Sequence, residues 1–259
     1  MPDISLQPCP IDASYDPSVE PDLNWIWNGY LAPGDITLLT SQWKAGKTTL
    51  LTGLLRSLAG GVPFLDRPTR RAKVLLVSEE SRSQWGERVR AGPIGDHVRW
   101  LSRPFFGRPS LQEWNQLIAF AMAQYLDLFV IDPLATFLPG RNESDAATML
   151  EALQPLRQLA GDDCAVLLLH HPKKKGGEIG SSARGSGALL GFVDTSLELR
   201  RPSHLAADSQ CRTLYGQSRR SGTPARLAYE WNRADGAFEV LPAPPRGNST
   251  RAGESSGRF

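Results

Sequence analysis

Residues 41–50 read SQWKAGKTTL. The end of that stretch, Gly46-Lys47-Thr48, has the spacing of a phosphate-binding loop, GxxxxGK[ST], with Ser41 where the pattern has its first glycine. The flanks decide whether the match has meaning. Ile36 to Thr40 is an apolar run that predicts a buried strand, and 47–58 carries a helical pattern stopped by Gly60 and Gly61. A strand that ends in a loop and reopens as a helix aims backbone N–H groups at an anion. In that frame Ser41, Lys44, Ala45, Gly46, Lys47, Thr48 and Thr49 are the expected nucleotide-binding residues. Gly46 permits close backbone approach, Lys47 reaches the β- and γ-phosphates, and the Thr48 hydroxyl is suited to Mg²⁺. The first glycine of the pattern eases the turn leaving the strand, so Ser41 costs little if its backbone angles stay in an allowed region. Lys44 is an extra cation that faces phosphate, a neighbouring subunit or water.

Outward from the loop, short apolar runs alternate with helical patterns. Strands are expected at 73–78, 98–101, 128–131 and 165–169, with helices between them. One helix starts at Ser110, where Ser110 and Glu113 form a capping box. Strands that are apolar throughout and separated by helices imply a parallel sheet covered on both faces. After residue 195 the pattern becomes strands joined by turns (195–199, 211–216, 226–231, 237–241). The expected fold is α/β, a mostly parallel sheet with an antiparallel C-terminal extension. The domain is placed at 22–241, with a flexible arm at 1–21, rich in proline, aspartate and serine, and a disordered tail at 242–259, poor in large apolar residues.

The chain has 259 residues, 41% hydrophobic and 22% charged, enough for one sizeable α/β core. A net charge of +2 means that any nucleic-acid surface must be a local patch. Cys9, Cys164 and Cys211 are scattered and form no CxxC pair, which argues against a zinc site or disulfide framework and fits a reducing, cytoplasmic setting. No apolar run reaches the ~18 residues of a membrane span, and the first ten residues do not read as a signal peptide.

Two further segments carry chemistry. LFVIDP puts Asp132 at the end of an apolar strand, the position of a carboxylate that holds Mg²⁺. Glu79 and Glu80 follow the strand KVLLVS and so sit at the same carboxyl edge as the phosphate loop, where one of them can activate water. The alternative is a helix N-terminus that welcomes negative charge.

Taken together, LAPGDITLLTSQWKAGKTTLL, VLLVSEESRSQWGERV, LFVIDPLATF, VLLLHHPKK and ARGSGALLGFVDTSLEL resemble the RecA-like P-loop ATPases, in particular the RepA-type hexameric helicase and its AAA-labelled relatives. The resemblance implies a RecA-like fold, ATP and Mg²⁺ as cofactors, and a catalytic glutamate at Glu79, with Glu80 beside it. It places the metal carboxylate at Asp132 and a γ-phosphate-sensing histidine at His170 or its neighbour His171. Metal binding by that His pair lacks a completing ligand set. The glycine-rich loop with Lys173, Lys174, Lys175 and Arg184 matches one that touches single-stranded DNA in the family. Read by itself it is equally a solvated loop, and it has no aromatic residue for stacking. The segment GQSRRSGTPARLAYEW resembles the arginine-finger hairpin of DnaB-like ring helicases, with Arg220 the best match and Arg219 close by; an ordinary hairpin is the other reading. The implied activity is that of a ring-forming DNA helicase or replication-type motor, hexameric in the family's manner and working with other replication proteins. A regulatory or adaptor ATPase without strand separation is the competing expectation.

Overall fold

The computed structural model of the protein describes residues 24–139, 146–161, 163–171, 187–202, 205–206 and 209–242. The expected arm, all but the first residue of the tail, and Lys173, Lys174, Lys175 and Arg184 lie outside them. In chain order the elements are β1 (Ile36–Ser41), α1 (Lys47–Gly60), β2 (Val74–Ser78), α2 (Arg82–Ala91), β3 (Val98–Ser102), α3 (Leu111–Met122), β4 (Leu128–Asp132) and α4 (Leu134–Phe137). Then come α5 (Ala146–Gly161), β5 (Ala165–His170), α6 (Gly187–Phe192), β6 (Thr195–Arg200), β7 (Cys211–Ser218), β8 (Arg226–Trp231) and β9 (Phe238–Leu241).

The nine strands of the described residues form one sheet in the order β3-β2-β4-β5-β1-β6-β7-β8-β9. Neighbours from β3 to β6 are parallel, and those from β6 to β9 antiparallel. Every residue of β1, β2 and β4 is buried, as strands that are apolar on both sides must be. Successive side chains serve opposite faces. Leu39, Leu76 and Val130 pack with Leu51, Leu54 and Leu58 of α1, while Leu38, Leu75 and Phe129 pack with Trp114 and Ile118 of α3 and Leu153 and Leu156 of α5. The buried Trp114 indole donates to the Ala152 carbonyl at 2.7 Å and ties α3 to α5. Because the central strands run the same way, their carboxyl ends all reach one edge of the sheet.

The expected strands and main helices are present, and the Ser110–Glu113 capping box is formed. The short helices α4 and α6 carried no periodic signal, since four and six residues are too few to show one. The antiparallel extension is not an appendage. Phe238 of β9 lies edge-on to Phe64 at 5.0 Å between ring centres, directly over α1. It fits there because residue 53 of α1 is glycine: a Cβ would come within 2.6 Å of the Phe238 ring and 2.8 Å of Phe64. Helix propensity alone favours alanine at this position by about 1 kcal/mol. Overpacking rigid rings opposes it by roughly 1–3 kcal/mol, so Gly53→Ala should lower the denaturant midpoint, and an increase would refute the packing account.

Candidate nucleotide site

The phosphate loop leaves β1 at Ser41 and enters α1 at Lys47. Two residues in it take left-handed backbone angles, Lys44 (φ 59) and Gly46 (φ 104, ψ 23), and Gly46 is the N-cap of α1. The turn's conformational demand falls on Lys44 and Gly46, so Ser41 can stand where the pattern has glycine. Ser41 is nevertheless more than tolerated: its Oγ accepts a hydrogen bond from Lys47 Nζ at 3.1 Å and donates to the Gln42 carbonyl at 2.9 Å. Lys47 is buried, and its Nζ also donates to His171 Nδ1 at 2.8 Å. Burial pulls the Lys47 ammonium down to about 8, against the attraction of Asp132 and Glu79. Burial and the adjacent Lys47 charge likewise depress His171, which keeps its imidazole neutral and able to accept. Lys44 is exposed, with its ammonium 4.2 Å from the centre of the Trp43 ring.

The carboxylates arrive from β2 and β4, which are neighbours with Ser78 opposite Asp132. The Asp132 side chain is buried, with Oδ2 3.5 Å from Thr48 Oγ1. Burial raises it to about 6; Lys47 opposes that shift, and Glu80 and Glu79 add to it. The Glu79 backbone N–H donates to the Asp132 carbonyl at 3.0 Å, and its carboxylate accepts from Thr136 Oγ1 of α4 at 2.6 Å. Glu80 turns away and takes two N–H donors from Arg88, one at 2.8 Å. The adjacent acids thus divide: Glu80 is spent on an ion pair, and Glu79 stays within reach of the charge on Lys47. A hydroxyl and carboxylates beside a phosphate loop are the hard oxygen donors that suit magnesium, and the buried, under-compensated Lys47 suits a phosphate.

Other expected residues fall elsewhere. His170 closes β5 opposite Thr40, and it is His171, the next residue, that touches Lys47. Arg220 makes a two-pronged ion pair with Asp35, at 2.5 and 2.7 Å. Asp35 precedes β1 and therefore marks the amino edge of the sheet, a strand length of roughly 20 Å from the phosphate loop. Arg219 is at that same far edge, 63% exposed, with Nη2 on the Gly191 carbonyl at 2.9 Å and Nη1 3.5 Å from Asp194. Neither arginine belongs to its own chain's phosphate site.

Sequence reasoning missed Thr136 and Arg212. Arg212, near the start of β7, is only 7% exposed and donates from Nε to the Ala45 carbonyl at 2.5 Å, with Nη1 on the Ser209 and Cys211 carbonyls. The Nε bond ties β7 to the phosphate loop through the Ala45 carbonyl. No motif marks either residue, because both contacts join segments far apart in sequence.

The two large shifts set a pH window. Lys47 keeps its proton below about 8, and Asp132 is ionised above about 6. For the nucleotide-free protein, kcat/KM for Mg-ATP should therefore fall as pH rises through about 8, where the cation is lost, and as it drops through about 6, where the carboxylate protonates. A profile flat across that range would contradict these assignments.

Comparisons with known proteins place this geometry. The AAA domain family profile matches residues 5–177. Among curated protein sequences none is significantly similar to this chain. Many solved structures share the fold, among them the following three. A DnaB-like replicative helicase, described with its interactions with primase, superposes with a TM-score of 0.65 at 13% identity, covering 87% of this chain and 66% of its own. A second structure, an isolated ATPase domain, gives 0.61 at 14% identity, over 81% and 86% of the two chains. The RadB recombinase gives 0.56 at 16% identity, over 82% and 93%. The chain thus spans just under two thirds of the DnaB-like helicase. With a loop, two carboxylates and a sheet order arranged as described, the protein belongs to the AAA domain family and has the RecA-like P-loop ATPase fold.

Proposed function

We propose that the protein is a Mg²⁺-dependent ATPase that works as a ring on single-stranded DNA, as a helicase or replication-type motor. The observation that carries the ATPase reading is the convergence of Lys47, Thr48, Asp132 and Glu79 at one sheet edge, from three strand ends. In this reading the loop N–H groups and Lys47 bind the β- and γ-phosphates, and Thr48 and Asp132 hold the magnesium that neutralises them. Glu79 orients the attacking water and takes its proton, with Thr136 fixing the carboxylate. His171 accepts from Lys47 and so can follow a movement of Lys47 onto phosphate; of the His170–His171 pair it takes the sensor role. Lys173, Lys174, Lys175 and Arg184 follow β5 in the chain and contact the strand by neutralising its phosphates.

A ring supplies the remaining charge. Arg219 and Arg220 lie at the edge away from their own phosphate loop, so either can complete only another subunit's site. Arg220 is committed to Asp35, whereas most of the Arg219 side chain is exposed, which makes Arg219 the better finger.

Glu79→Gln should reduce ATP turnover by about 10²-fold or more while Mg-ATP still binds. Unchanged turnover would transfer the role to another residue. Single-stranded DNA should bind at low salt and raise turnover, and nucleotide should raise the mass of the assembly; the absence of DNA binding would sink the motor reading and leave a regulatory ATPase. Arg219→Ala should cut kcat by at least tenfold without changing nucleotide affinity, and it should be rescued in mixtures with Glu79→Gln subunits that retain Arg219. Arg220→Ala, in contrast, should lower the Tm by stranding Asp35.

A further inference from the structure

The segment after β3, residues 103–109, reads RPFFGRP and lies at the same sheet edge as Glu79. Its shape is built in. Arg103 has a left-handed backbone (φ 48), its N–H donates to the Ser78 carbonyl at 2.8 Å, and its side-chain Nε donates to the Glu79 carbonyl at 2.6 Å. Phe105 packs inward, edge-on to Phe137 at 6.4 Å between ring centres. Gly107 (φ 100) makes the turn, and Pro104 and Pro109 bracket it. The result is that Phe106 stands fully exposed on a constrained loop. The loop borders a cleft of about 810 Å³ whose lining includes Arg103, Phe105, Gly107, Glu79, Thr136 and Phe137.

We propose that this loop is a single-stranded nucleic-acid contact, with Phe106 stacking on a base and Arg103 holding an adjacent phosphate. The inference rests on the DNA-acting reading above and adds a site to it. Charge selects the partner: from His97 to Gln112 there is no acid, and Arg103 carries its guanidinium on the rim of the cleft. Of the two acids in the floor, Glu80 is paired with Arg88 and Glu79 accepts from the neutral Thr136 hydroxyl, so a polyanion fits the rim at Arg103 and not the floor. The Arg103 Nη groups have no protein acceptor among the described residues, since its only bonded side-chain atom is Nε. An exposed ring and a guanidinium carried on one loop are the sequence-tolerant elements of single-strand binding. It also supplies the stacking platform that the lysine loop at 173–175 lacks. Arg103 grips the backbone of Glu79, so a phosphate drawing on Arg103 acts on the residue that activates water. That is a direct route from strand binding to hydrolysis.

The test measures anisotropy of a labelled oligothymidylate on the full chain at low salt, alongside ATP turnover. Phe106→Ala should weaken binding roughly tenfold, the loss of one base stack, with Tm and DNA-free turnover unchanged. Half-maximal stimulation should then need about tenfold more DNA. Phe106→Trp should restore affinity and show fluorescence quenching on binding beyond that of the wild type. Arg103→Gln should reduce the slope of log affinity against log salt by about one. Wild-type affinity in Phe106→Ala overturns the proposal and leaves the ATPase motor intact. So does a loss of assembly mass with affinity retained, which would make Phe106 a contact between copies. If the wild type itself binds no oligothymidylate, the DNA reading fails first.

Discussion

A buried ammonium with no contacting counter-charge among the described residues is the constraint on which the site depends. Lys47 is 5% exposed, and its hydrogen-bond partners are a serine hydroxyl and a neutral imidazole. Taking an ammonium out of water costs several kcal/mol unless a charge compensates it, and Asp132 and Glu79 compensate only from a distance. Asp132 shows the same burden with opposite sign, a carboxyl raised toward neutrality by burial. Both shifts have one cause: parallel strands bring their carboxyl ends together in a place with little water. A phosphate and a divalent cation would relieve both charges at once, so the burial that lowers Lys47 and raises Asp132 suits that pair of ligands.

Strand direction then divides the molecule into two functional edges. At the carboxyl edge lie the phosphate loop, Glu79, Asp132, His171 and the Phe106 loop. At the amino edge, Asp35 holds Arg220, while Asp194 accepts from the Ile36 N–H and pairs with Arg157. Antiparallel β7 joins the two, starting beside the phosphate loop with Arg212 and ending at Arg219 and Arg220. The extension therefore braces its own loop at one end and presents arginines away from it at the other. Gly53, which admits Phe238 against α1, belongs to the same arrangement: the helix that carries Lys47 is seated partly on the last strand.

Much of this was legible in the sequence, because strand and helix periods and the spacing of Gly46, Lys47 and Thr48 are local properties. Asp132 was legible for the same reason, as a carboxylate at the end of an apolar run. Adjacent pairs were where reading by motif lost resolution. Glu79 and Glu80 differ only in that Arg88 can reach one of them and Thr136 the other. Of His170 and His171, the second meets Lys47, and of Arg219 and Arg220, the second meets Asp35. A net charge of +2 likewise concealed the acid-free run from His97 to Gln112.

By itself, then, the sequence determined the backbone plan: a strand-loop-helix for phosphate, strands buried on both faces, and acids at their carboxyl ends. Only the tertiary structure decided which neighbour in each pair faces the site, and it alone revealed Arg212, Thr136 and the stance of Phe106. The physical reason is range. Periodicity and turn chemistry act over a few residues, whereas the Lys47–His171 contact spans 124 positions and the Arg220–Asp35 pair spans 185.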